Sequence, residues 1–416
     1  MKKYLNFFKL FGVLALLLAL SFSITACKEN EEKYYIISLP EDIDLSRFPL
    51  SPAFTTPQSF NNTNAITFVQ GMKLGWNLGN TFDAHAGNGQ YRGSTSVATL
   101  ETQWVSAQTT QANINAIKNA GFDTIRIPVS WHQVANPAND YRIRDDWMQR
   151  VTTVVNYAYN QGMYVIINTH HDESIFKFQN NNYSQSLVVF QIIWMQIAAQ
   201  FQNYGERLIF EGLNEPRTKG SSTEWRGGTA QERTNINKYH QAFVDVVRAS
   251  GGNNDKRFLM IATYAASVEA AALNDLRMPN DPGNSASRKL ILSVHYYSPY
   301  DFALNTNNAH NAWSSSNTSH TSPITDGLAC VRTRANALGV PAIMGEMGAM
   351  CKNNEPARAA WADYFVTQAR SRGIVCIWWD NGATTGDGER FGLLNRSTNT
   401  FHYPQILNGL KKGAGI

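Results

Sequence analysis

The amino-acid sequence predicts an α/β protein built as a single (β/α)₈ TIM barrel. Eight short apolar runs recur along the chain, and segments with the 3.6-residue period of a helix separate them. Near-continuous apolar strands that alternate with helices indicate a parallel sheet covered on both faces. Eight such units over roughly 340 residues match a closed barrel. An open doubly wound sheet is the alternative, but it usually has fewer strands, and the chain contains no glycine-rich or Walker phosphate loop.

The predicted strands alternate along the chain with segments of helical period. The strand candidates are MKLGWNLG (72–79), TIRIPVSW (124–131), YVIINTH (164–170), LIFEGLNE (208–215), FLMIATY (258–264), LILSVHYYS (290–298), AIMGEMG (342–348) and IVCIWWDN (374–381). Several helical segments end in Gly just before the next strand, as a left-handed C-cap requires. The helical candidates are 113–121, 145–162, 188–205, 236–252, 329–339 and 359–373.

The chain begins with features of an export signal. Lysines precede a short apolar stretch, and the small residues of SITAC follow it, so residues 1–26 are predicted to be a signal peptide. The SITAC motif resembles a bacterial lipobox, which makes Cys27 the predicted lipid-bearing residue and a lipid membrane a predicted partner. The charged KENEEK that follows is similar to tags that carry bacterial lipoproteins to the cell surface, although the periplasmic face stays open as an alternative.

A polar, proline-dotted segment at 27–67 is predicted to be a tether, and 68–412 is predicted to be the barrel. The chain has 36 Lys and Arg against 32 Asp and Glu, a net charge of +4 without basic runs, so nucleic acid is not an expected partner. Outside the lipobox there are Cys330, Cys351 and Cys376, which lack the spacing of a zinc site or a disulfide framework. Whether any two of them pair stays open, and a monomer is expected.

Polar side chains stand at the ends of almost all the predicted strands. Because barrels of this class carry their chemistry at the carboxyl ends of the strands, these residues are the candidates for a site. In strand order they are Asn77 and Asn80, Arg126, His170 and His171, Asn214 and Glu215, Thr263 and Tyr264, His295 and Tyr297, Glu346, and Trp379 with Asp380 and Asn381.

Two carboxylates, Glu215 and Glu346, are predicted to form a catalytic pair. Glu215 precedes Pro216, which favours extended geometry at the tip of the fourth strand. Glu346 lies between glycines in MGEMG, which we expect to leave room for a ligand. Carboxyl groups that face each other across a barrel mouth suit glycoside cleavage by double displacement, in which one protonates the leaving oxygen and the other attacks the sugar. Glu211, deeper in the fourth strand, is expected to be structural.

The residues expected to lie beside each carboxylate indicate its role. Arg126, a cation within an apolar strand, is expected to pair with Glu346 and keep it ionised as the nucleophile. Tyr297 is expected to donate its hydroxyl to the same group, with His295 on the same strand face. Glu215 is then the acid and should have the higher pKa of the two.

The remaining strand-end residues are predicted to bind substrate. Trp379 is expected to form an aromatic platform under a sugar ring, and Asn214 to bond a hydroxyl beside the cleaved bond. The adjacent Trp378 and Trp379 cannot both face inward, so one of the two is expected to be a packing residue. His170 is expected to line the polar site. Contact with substrate is also predicted for Asn77, His171 and Asn381, because each stands at the end of a predicted strand. The tandem His170 and His171 also permits a metal site, but the chain has no HExxH and the carboxylate pair needs no metal, so no metal is predicted.

The sequence motifs together resemble a known family of enzymes. GWNLGNTFDAH, IRIPVSW, VIINTHH, FEGLNEP, SVHYYSP, MGEMG and CIWWDNG look like glycoside hydrolase family 5, and KLGWNLGNTFDAH with FGLLNR is most similar to its subfamily 4. The resemblance covers about 68–412. It implies a retaining enzyme without a cofactor, and it assigns the same roles to the residues matched in this sequence, listed as Glu215, Glu346, Arg126, His170, Asn214, His295, Tyr297 and Trp379. It also implies internal cleavage of β-1,4-linked glucans, including cellulose derivatives, mixed-linkage β-glucan and xyloglucan.

Other functions are open to a chain with these motifs. An endo-β-1,4-mannanase or another β-1,4-glycanase would use the same groups at the cleaved bond, because the fold does not name the backbone sugar. A surface lipoprotein that binds glycans on an inactive barrel is an alternative from another class, against which both intact carboxylates argue. In the loop after the sixth strand, Trp313 is expected either to line a subsite or to anchor the loop.

Overall fold

The computed structural model describes residues 53–285 and 287–416, and within them the eight predicted strands close into one barrel. We number these barrel strands β1 to β8. They are Leu74–Leu78, Thr124–Ile127, Tyr164–Asn168, Leu208–Glu211, Leu259–Ala262, Leu290–His295, Ala342–Met347 and Ile374–Asp380. Each pairs in parallel with its neighbours, and β1 pairs with both β2 and β8, which closes the ring. The barrel prediction is therefore confirmed, and the open sheet is excluded.

The strands are buried on both faces, as their apolar sequences predict. All residues of the eight strands are buried except the first residue of β3, Tyr164. The register of β7 shifts against both neighbours. Val294 and His295 of β6 oppose Met344 and Glu346, so one extra residue, Gly345, stands between them. Such a bulge re-aims the side chains around it, and here it lies beside Glu346.

Helices surround the barrel, with at least one in each connection between consecutive strands. In the part of the chain that the structure describes, the α-helices, numbered α1 to α11, are Ala65–Gln70, Val97–Glu101, Gln111–Asn119, Asp145–Tyr159, Tyr183–Phe201, Ala230–Ala249, Ala270–Asp275, Tyr300–Ala303, Thr318–Leu338, Glu355–Arg370 and Pro404–Ala414. The 3₁₀ turns are Pro137–Asn139, Gly252–Asp255, Tyr264–Ala266 and Pro282–Asn284. Two short hairpins pair Ala135–Asn136 with Arg142–Ile143 and Leu394–Asn395 with Thr400–Phe401.

The segment before β1 differs from the predicted polar tether. Helix α1 begins at Ala65, and its Phe68 stacks on Phe258 with ring centroids 3.8 Å apart. Ala65 and Phe68 belong to an apolar cluster with the lower residues of most barrel strands. Phe54 packs on Tyr204 with ring centroids 4.8 Å apart. The described part of the predicted 27–67 tether therefore closes the base of the barrel, because a few aromatic residues within a polar stretch supply enough apolar surface to dock it.

The export signal and the lipidation site at Cys27 lie outside the described residues. None of the helices within 53–285 and 287–416 is long and apolar enough to cross a membrane. Cys330, Cys351 and Cys376 are free thiols, and only Cys330 is exposed. The last helix ends at Ala414, two residues beyond the predicted limit of the barrel.

Candidate active site

The predicted site residues converge at the carboxyl ends of the barrel strands. Glu346 lies within β7, and Glu215 follows the end of β4. One carboxylate oxygen of each lies within 4.8 Å of the other and of a ring nitrogen of His295. Nδ1 of His295 is 2.9 Å from Oε1 of Glu215 and 3.6 Å from Oε2 of Glu346. The two carboxylates, 131 residues apart in the sequence, thus share one small polar site.

Arg126 is the central cation beneath this site. The side chain is fully buried, and each of its five N–H donors faces an acceptor. Nε and Nη2 contact Oε2 of Glu211 at 2.8 and 2.7 Å. Nη1 donates to Asn77 and to Oε1 of Glu346, both at 2.9 Å, and Nη2 donates to Asn214 at 2.7 Å. The predicted ion pair with Glu346 is therefore present.

Glu346 accepts a second hydrogen bond from Tyr297, as predicted. The hydroxyl of Tyr297 donates to Oε2 at 2.8 Å. Burial raises the pKa of Tyr297 well above its usual value, and the charge of Glu346 raises it further, so the phenol keeps its proton and remains a donor. Arg126 thus donates to one oxygen of the Glu346 carboxylate and Tyr297 to the other, which fixes the orientation of the group.

The glycines around Glu346 make room for protein side chains rather than for a ligand, contrary to our expectation. A Cβ at Gly345 would lie 3.0 Å from Nε2 of His295. A Cβ at Gly348 would lie 2.9 Å from the ring of Phe391. The small residues of MGEMG therefore let His295 approach the two carboxylates and let the loop after β8 pack on β7.

Glu215 has two positively polarised neighbours, one near each oxygen. His295 approaches Oε1 at 2.9 Å, and Nη1 of Arg217 lies 3.4 Å from Oε2. Burial raises the pKa of Glu215, but the hydrogen bond and charge of His295, followed by the charges of Arg217 and His171, lower it below its ordinary value. The acid was expected to have the higher pKa of the two carboxylates, whereas in the resting site the pKa of Glu215 is lowered, because His295 and Arg217 converge on this carboxyl group, which no local pattern indicates.

Trp379 and His170 form an aromatic floor beside the carboxylates. Their rings are parallel within 3°, with centroids 5.8 Å apart. A Cβ at Gly79 would lie 2.9 Å from the indole of Trp379, so the glycine of NLGN is needed for this position. Burial lowers the pKa of His170 well below its usual value, with the charges of His171 and Arg126 acting in the same direction. The imidazole is therefore neutral. Trp378 is fully buried and donates to the carbonyl of Phe391 at 3.0 Å, so it is the packing residue of the pair.

Two predicted substrate-binding residues instead hold the protein together. Asn77 is fully buried, accepts from Arg126 and donates to the carbonyls of Gly345 and Trp378 at 2.9 and 3.2 Å. Asn381 is 4% exposed and organises the loop after β8, because it donates to the carbonyl of Glu389 and accepts from two backbone N–H groups. These bonds place both amides beneath the surface at which a substrate would lie, which corrects the prediction.

His171 and Trp313, for which substrate contact was also considered, lie in different surroundings. His171 is partly exposed and lies at a cavity wall, with its ring 4.4 Å from that of His170. Trp313 donates to the carbonyl of His320 at 3.3 Å and packs on Tyr364, so it anchors its loop. Only His171 is thus placed where a substrate could reach it.

The tandem histidines meet a third possible metal ligand, Asp83, which the sequence analysis did not consider. Ligand atoms of these three residues lie within 4.8 Å of one another. However, the oxygen of Asn168 accepts from the N–H of Val129 at 3.0 Å, so its amide nitrogen is the group that faces Nδ1 of His170 at 3.2 Å. The proton of His170 then resides on Nε2, which leaves no lone pair for a metal. This donor set therefore fits a metal poorly.

The structure adds two charged residues, Arg217 and Glu389, to those singled out from the sequence, and it shows which groups Glu211 contacts. Glu211, expected to be structural, anchors Arg126 and also accepts from Ser293 at 2.6 Å. Arg217 follows the NEP motif directly, and this proximity was the one available signal for it. Glu389 lies on the loop after β8. Burial of its carboxyl group raises the pKa of Glu389 to about 7, and the charges of Glu346 and Glu215 raise it further. Much of the residue is nevertheless exposed to solvent.

Two cavities open at the mouth of the barrel. The larger, of about 490 Å³, is bounded by loops that follow β1 to β4, and its polar lining includes His85, His132, His171, Glu173, Arg217 and Lys219. The smaller, of about 220 Å³, lies between the loops after β1 and β8, beside the half-exposed Trp104. The loop after β1 contributes residues to both linings, and neither lining includes Glu215 or Glu346.

The arrangement can support displacement at a carbon that bears a leaving oxygen. One carboxylate, Glu346, is held in place by hydrogen bonds from Arg126 and Tyr297. The other, Glu215, is close enough to act on the same carbon centre and has a histidine partner for its proton. A flat aromatic floor and a polar rim are typical of sites that bind sugar rings, whose faces are apolar and whose edges carry hydroxyls.

Comparisons with known proteins agree with this chemistry. The family model described as cellulase (glycosyl hydrolase family 5) matches residues 86–385. The chain is 42% identical over 366 residues to endoglucanase B of Neocallimastix patriciarum, an alignment that covers 88% of this chain and 75% of that protein. It is also similar to the solved structure of a GH5-4 broad specificity endoglucanase from Ruminococcus champanellensis with bound cellotriose, with 40% identity, a TM-score of 0.80, and coverage of 85% of this chain and 99% of that one. A family 5 lichenase mutant from Caldicellulosiruptor sp. F32 in complex with cellotetraose has 39% identity, a TM-score of 0.80, and coverage of 88% and 99%.

Proposed function

The chain belongs to glycosyl hydrolase family 5, and on that premise we propose that it is an endo-β-1,4-glucanase that cleaves internal bonds by double displacement. Its substrates are cellulosic glucans, mixed-linkage β-glucan or xyloglucan. The observation that carries the mechanism is the approach of Glu215 and Glu346 to within 4.8 Å. Carboxyl groups in retaining enzymes are about 5 Å apart, whereas inverting enzymes need about 6.5 to 9.5 Å to admit a water.

In the first step Glu346 attacks the anomeric carbon of the sugar that stacks on Trp379. Glu215 gives its proton to the glycosidic oxygen, the carbon–oxygen bond breaks, and a sugar ester of Glu346 forms. Arg126 and Tyr297 hold the attacking carboxylate in place. The oxygen of Asn214 accepts from Arg126, so its amide nitrogen is the group that donates to a sugar hydroxyl.

In the second step Glu215 takes a proton from water, and the hydroxide oxygen attacks the anomeric carbon and releases Glu346. Ester formation removes the negative charge of Glu346, which lowers the pKa of the neighbouring Glu215. A lower pKa favours the ionised form of Glu215, which is the form that acts as the base. His295 lies within hydrogen-bond distance of Glu215 and is placed to stabilise its carboxylate as the charge changes between the two steps.

Product stereochemistry tests this proposal. We expect proton NMR to detect the β-anomer first when wild-type protein hydrolyses a soluble cello-oligosaccharide. Glu215→Gln and Glu346→Gln should each lower kcat by about 10³-fold or more on substrates with poor leaving groups. Asp255→Asn, which makes the same change from carboxylate to amide at an exposed position in the turn before β5, is the control. Initial formation of the α-anomer, or a Glu346→Gln variant that retains wild-type kcat, would refute the mechanism.

The backbone preference is tested by product sizing. Incubation with purified barley β-glucan, xyloglucan and glucomannan separates a glucanase from a mannanase of the same fold. We expect oligosaccharides from both glucans to appear at least ten times faster than products cut between mannose units, because selective sites discriminate by a few kcal/mol. Faster release of manno-oligosaccharides would identify the alternative.

We propose as well that the protein is exported and anchored through Cys27. The support is the lysine-led apolar stretch and the SITAC motif. Cells that express the full chain should incorporate labelled fatty acid into the wild type and not into Cys27→Ser. Equal labelling of the two proteins would rule out this anchor.

A further inference from the structure

A ring of cationic side chains lies at the base of the barrel, the end opposite the mouth. Lys73, Arg207 and Arg288 precede β1, β4 and β6 by one or two residues, so they stand where these strands begin. Arg332 and Lys411 lie beside turns at the same end. All five cations are at least partly exposed. We call these five residues the basic rim.

The basic rim extends around the base rather than along one side of it. Glycines form the turns before four strands, β2, β3, β7 and β8. Each of these glycines has a cation of the basic rim within 4 Å of the position that a Cβ would take. The pairs are Gly121 with Lys411, Gly162 with Arg207, Gly339 with Arg288 and Gly373 with Arg332. With Lys73 before β1, the cations therefore border most of the strand entrances.

Few carboxylates oppose this charge. In the described part of the chain, none of the five rim cations has a carboxylate oxygen within 4.0 Å. Asp123, before β2, accepts from two backbone N–H groups at 2.8 and 3.2 Å. Glu206, before β4, accepts from the backbone and the side chain of Asn61 at 3.0 and 2.8 Å. Asp255, before β5, is exposed. The strand entrances therefore carry more positive than negative charge.

The base also exposes two aliphatic side chains. Ile66 is 44% exposed on α1, the helix that closes the base. Ile416 is 37% exposed and, like Lys411, lies beside the turn at Gly121. The other large hydrophobic residues exposed in the described chain are aromatic and stand on loops after the strands, namely Trp104, Trp225 and Tyr300. Cations around aliphatic side chains are typical of surfaces that lie on anionic lipid, whereas aromatic rings suit sugars.

The chain reaches the barrel at this same end. The N–H of Gln58 donates to the carbonyl of Asn203 at 2.8 Å, near the beginning of β4. Residues 28–52, which are 25 in number, separate Cys27 from the first described residue. A chain of that length spans at most about 85 Å. Such a reach would allow either end of the barrel to approach a membrane, so an anchor at Cys27 does not by itself orient the mouth.

We propose that the basic rim, with Ile66 and Ile416, docks on the surface of an anionic lipid bilayer, so that the mouth faces away from the membrane. The inference rests on the proposed anchoring through Cys27 and adds an orientation to it. Each Lys or Arg at an anionic surface strengthens the attraction about fivefold. The attraction falls off within about 8 Å at physiological ionic strength, so the base must lie close to the headgroups. Docked in this way, the protein presents Glu215 and Glu346 to polysaccharide outside the membrane.

Lysine footprinting on vesicles tests the orientation. Full-length wild type, purified from cells, is added to vesicles of phosphatidylcholine with about 30% phosphatidylglycerol or to vesicles of phosphatidylcholine alone. We expect a water-soluble acetylating reagent to modify Lys73 and Lys411 about fivefold or more slowly on the anionic vesicles, as measured by mass spectrometry. Lys177 and Lys219, exposed on loops at the mouth, should react equally on both and are the internal control. Salt at about 0.5 M should remove the difference.

Substitutions in the basic rim test the role of its charge. The base variant combines three substitutions, Lys73→Gln, Arg207→Gln and Arg288→Gln. The matched control removes the same charge from exposed positions on mouth loops, with Lys177→Gln, Lys219→Gln and Arg226→Gln. On anionic vesicles, the slow acetylation of Lys411 should be lost in the base variant and kept in the control. Because the wild-type footprint depends on lipid and salt, it decides the question even if the base variant fails to fold.

The outcomes separate the docking from the anchor and from the catalytic proposal. Equal acetylation of base and mouth lysines on both kinds of vesicle would overturn the docking, and slower acetylation of the mouth lysines would reverse the orientation. Equal protection of the base lysines by inorganic phosphate without vesicles would overturn a lipid surface as the partner. Protein that floats with anionic vesicles and shows the footprint, but carries no lipid on Cys27, would overturn the anchor and support the docking. The footprint requires no hydrolysis, so a failure of the catalytic proposal would leave it unchanged.

Discussion

Nη1 of Arg126 lies 2.9 Å from Oε1 of Glu346, and both side chains are almost entirely buried. Burial lowers the pKa of the guanidinium, but the charges of Glu211 and Glu346 outweigh this effect and raise it above its ordinary value. Two carboxylates and two amides surround this one cation. A buried charge without partners is costly. Removal of any one partner of Arg126 is therefore expected to affect the whole network, and with it both stability and activity.

Glu211→Gln is expected to destabilise the protein although the residue has no part in the reaction. The substitution leaves Arg126 with one carboxylate instead of two, and breaking a buried ion pair costs about 3 kcal/mol or more in the free energy of unfolding. The kcat should fall too, since Arg126 also orients Glu346 and Asn214. Urea unfolding and kinetics measure both effects. Glu269→Gln, at an exposed position, should change stability by less than about 0.5 kcal/mol.

Tyr297→Phe is expected to impair the reaction without unfolding the protein. The variant loses only the hydroxyl that donates to Oε2 of Glu346 at 2.8 Å. Loss of one such donor at a reacting group lowers kcat by about 10²-fold. The adjacent Tyr296 donates to the carbonyl of Pro323 at 2.6 Å and faces away from the site. Tyr296→Phe should therefore keep kcat, and a comparable loss in both variants would contradict the assigned role of Tyr297.

Substitutions of the two adjacent tryptophans of β8 should have different effects, one on substrate binding and the other on stability. Trp379→Ala removes the aromatic floor that is parallel to His170, so KM for cello-oligosaccharides should rise about tenfold or more. Trp378→Ala removes a fully buried indole and should lower the free energy of unfolding by about 3 to 5 kcal/mol. Thermal unfolding and steady-state kinetics distinguish them. An unchanged KM in Trp379→Ala would remove the platform from the mechanism.

Glu389 should make the protein less stable as the pH rises through neutrality. Its pKa is raised from 4.5 to about 7 in the folded protein, chiefly by burial and then by the charges of Glu346 and Glu215. The unfolded chain releases this proton near pH 4.5 and the folded protein near pH 7, so the penalty grows between these values and is constant above them. Glu389→Gln should therefore raise Tm relative to wild type at pH 8 and not at pH 4. A constant difference in Tm across this range would show that ionisation of Glu389 is not the cause.

The function of several residues follows from the local sequence pattern alone. Glu215, Glu346 and Arg126 were identified because each interrupts or ends an apolar run, and a barrel gathers the ends of its strands at one rim. Asn77 and Asn381 met the same criterion and yet serve the protein interior. A residue at a strand end can point to the substrate, to a neighbouring strand or to a loop, and its place in the chain does not distinguish these directions.

The alternation of apolar strands and helices by itself determined the barrel and placed both carboxylates at its mouth, because side-chain burial repeats with the local period of each element. Tertiary structure alone decided the separation of Glu215 from Glu346 and the contacts that Glu211 makes with Arg126 and that Arg217 makes with Glu215. It also decided that the segment before β1 docks on the base of the barrel. These properties depend on contacts between residues far apart in the chain. Their distances are set by strand register and the β7 bulge, which no local period encodes.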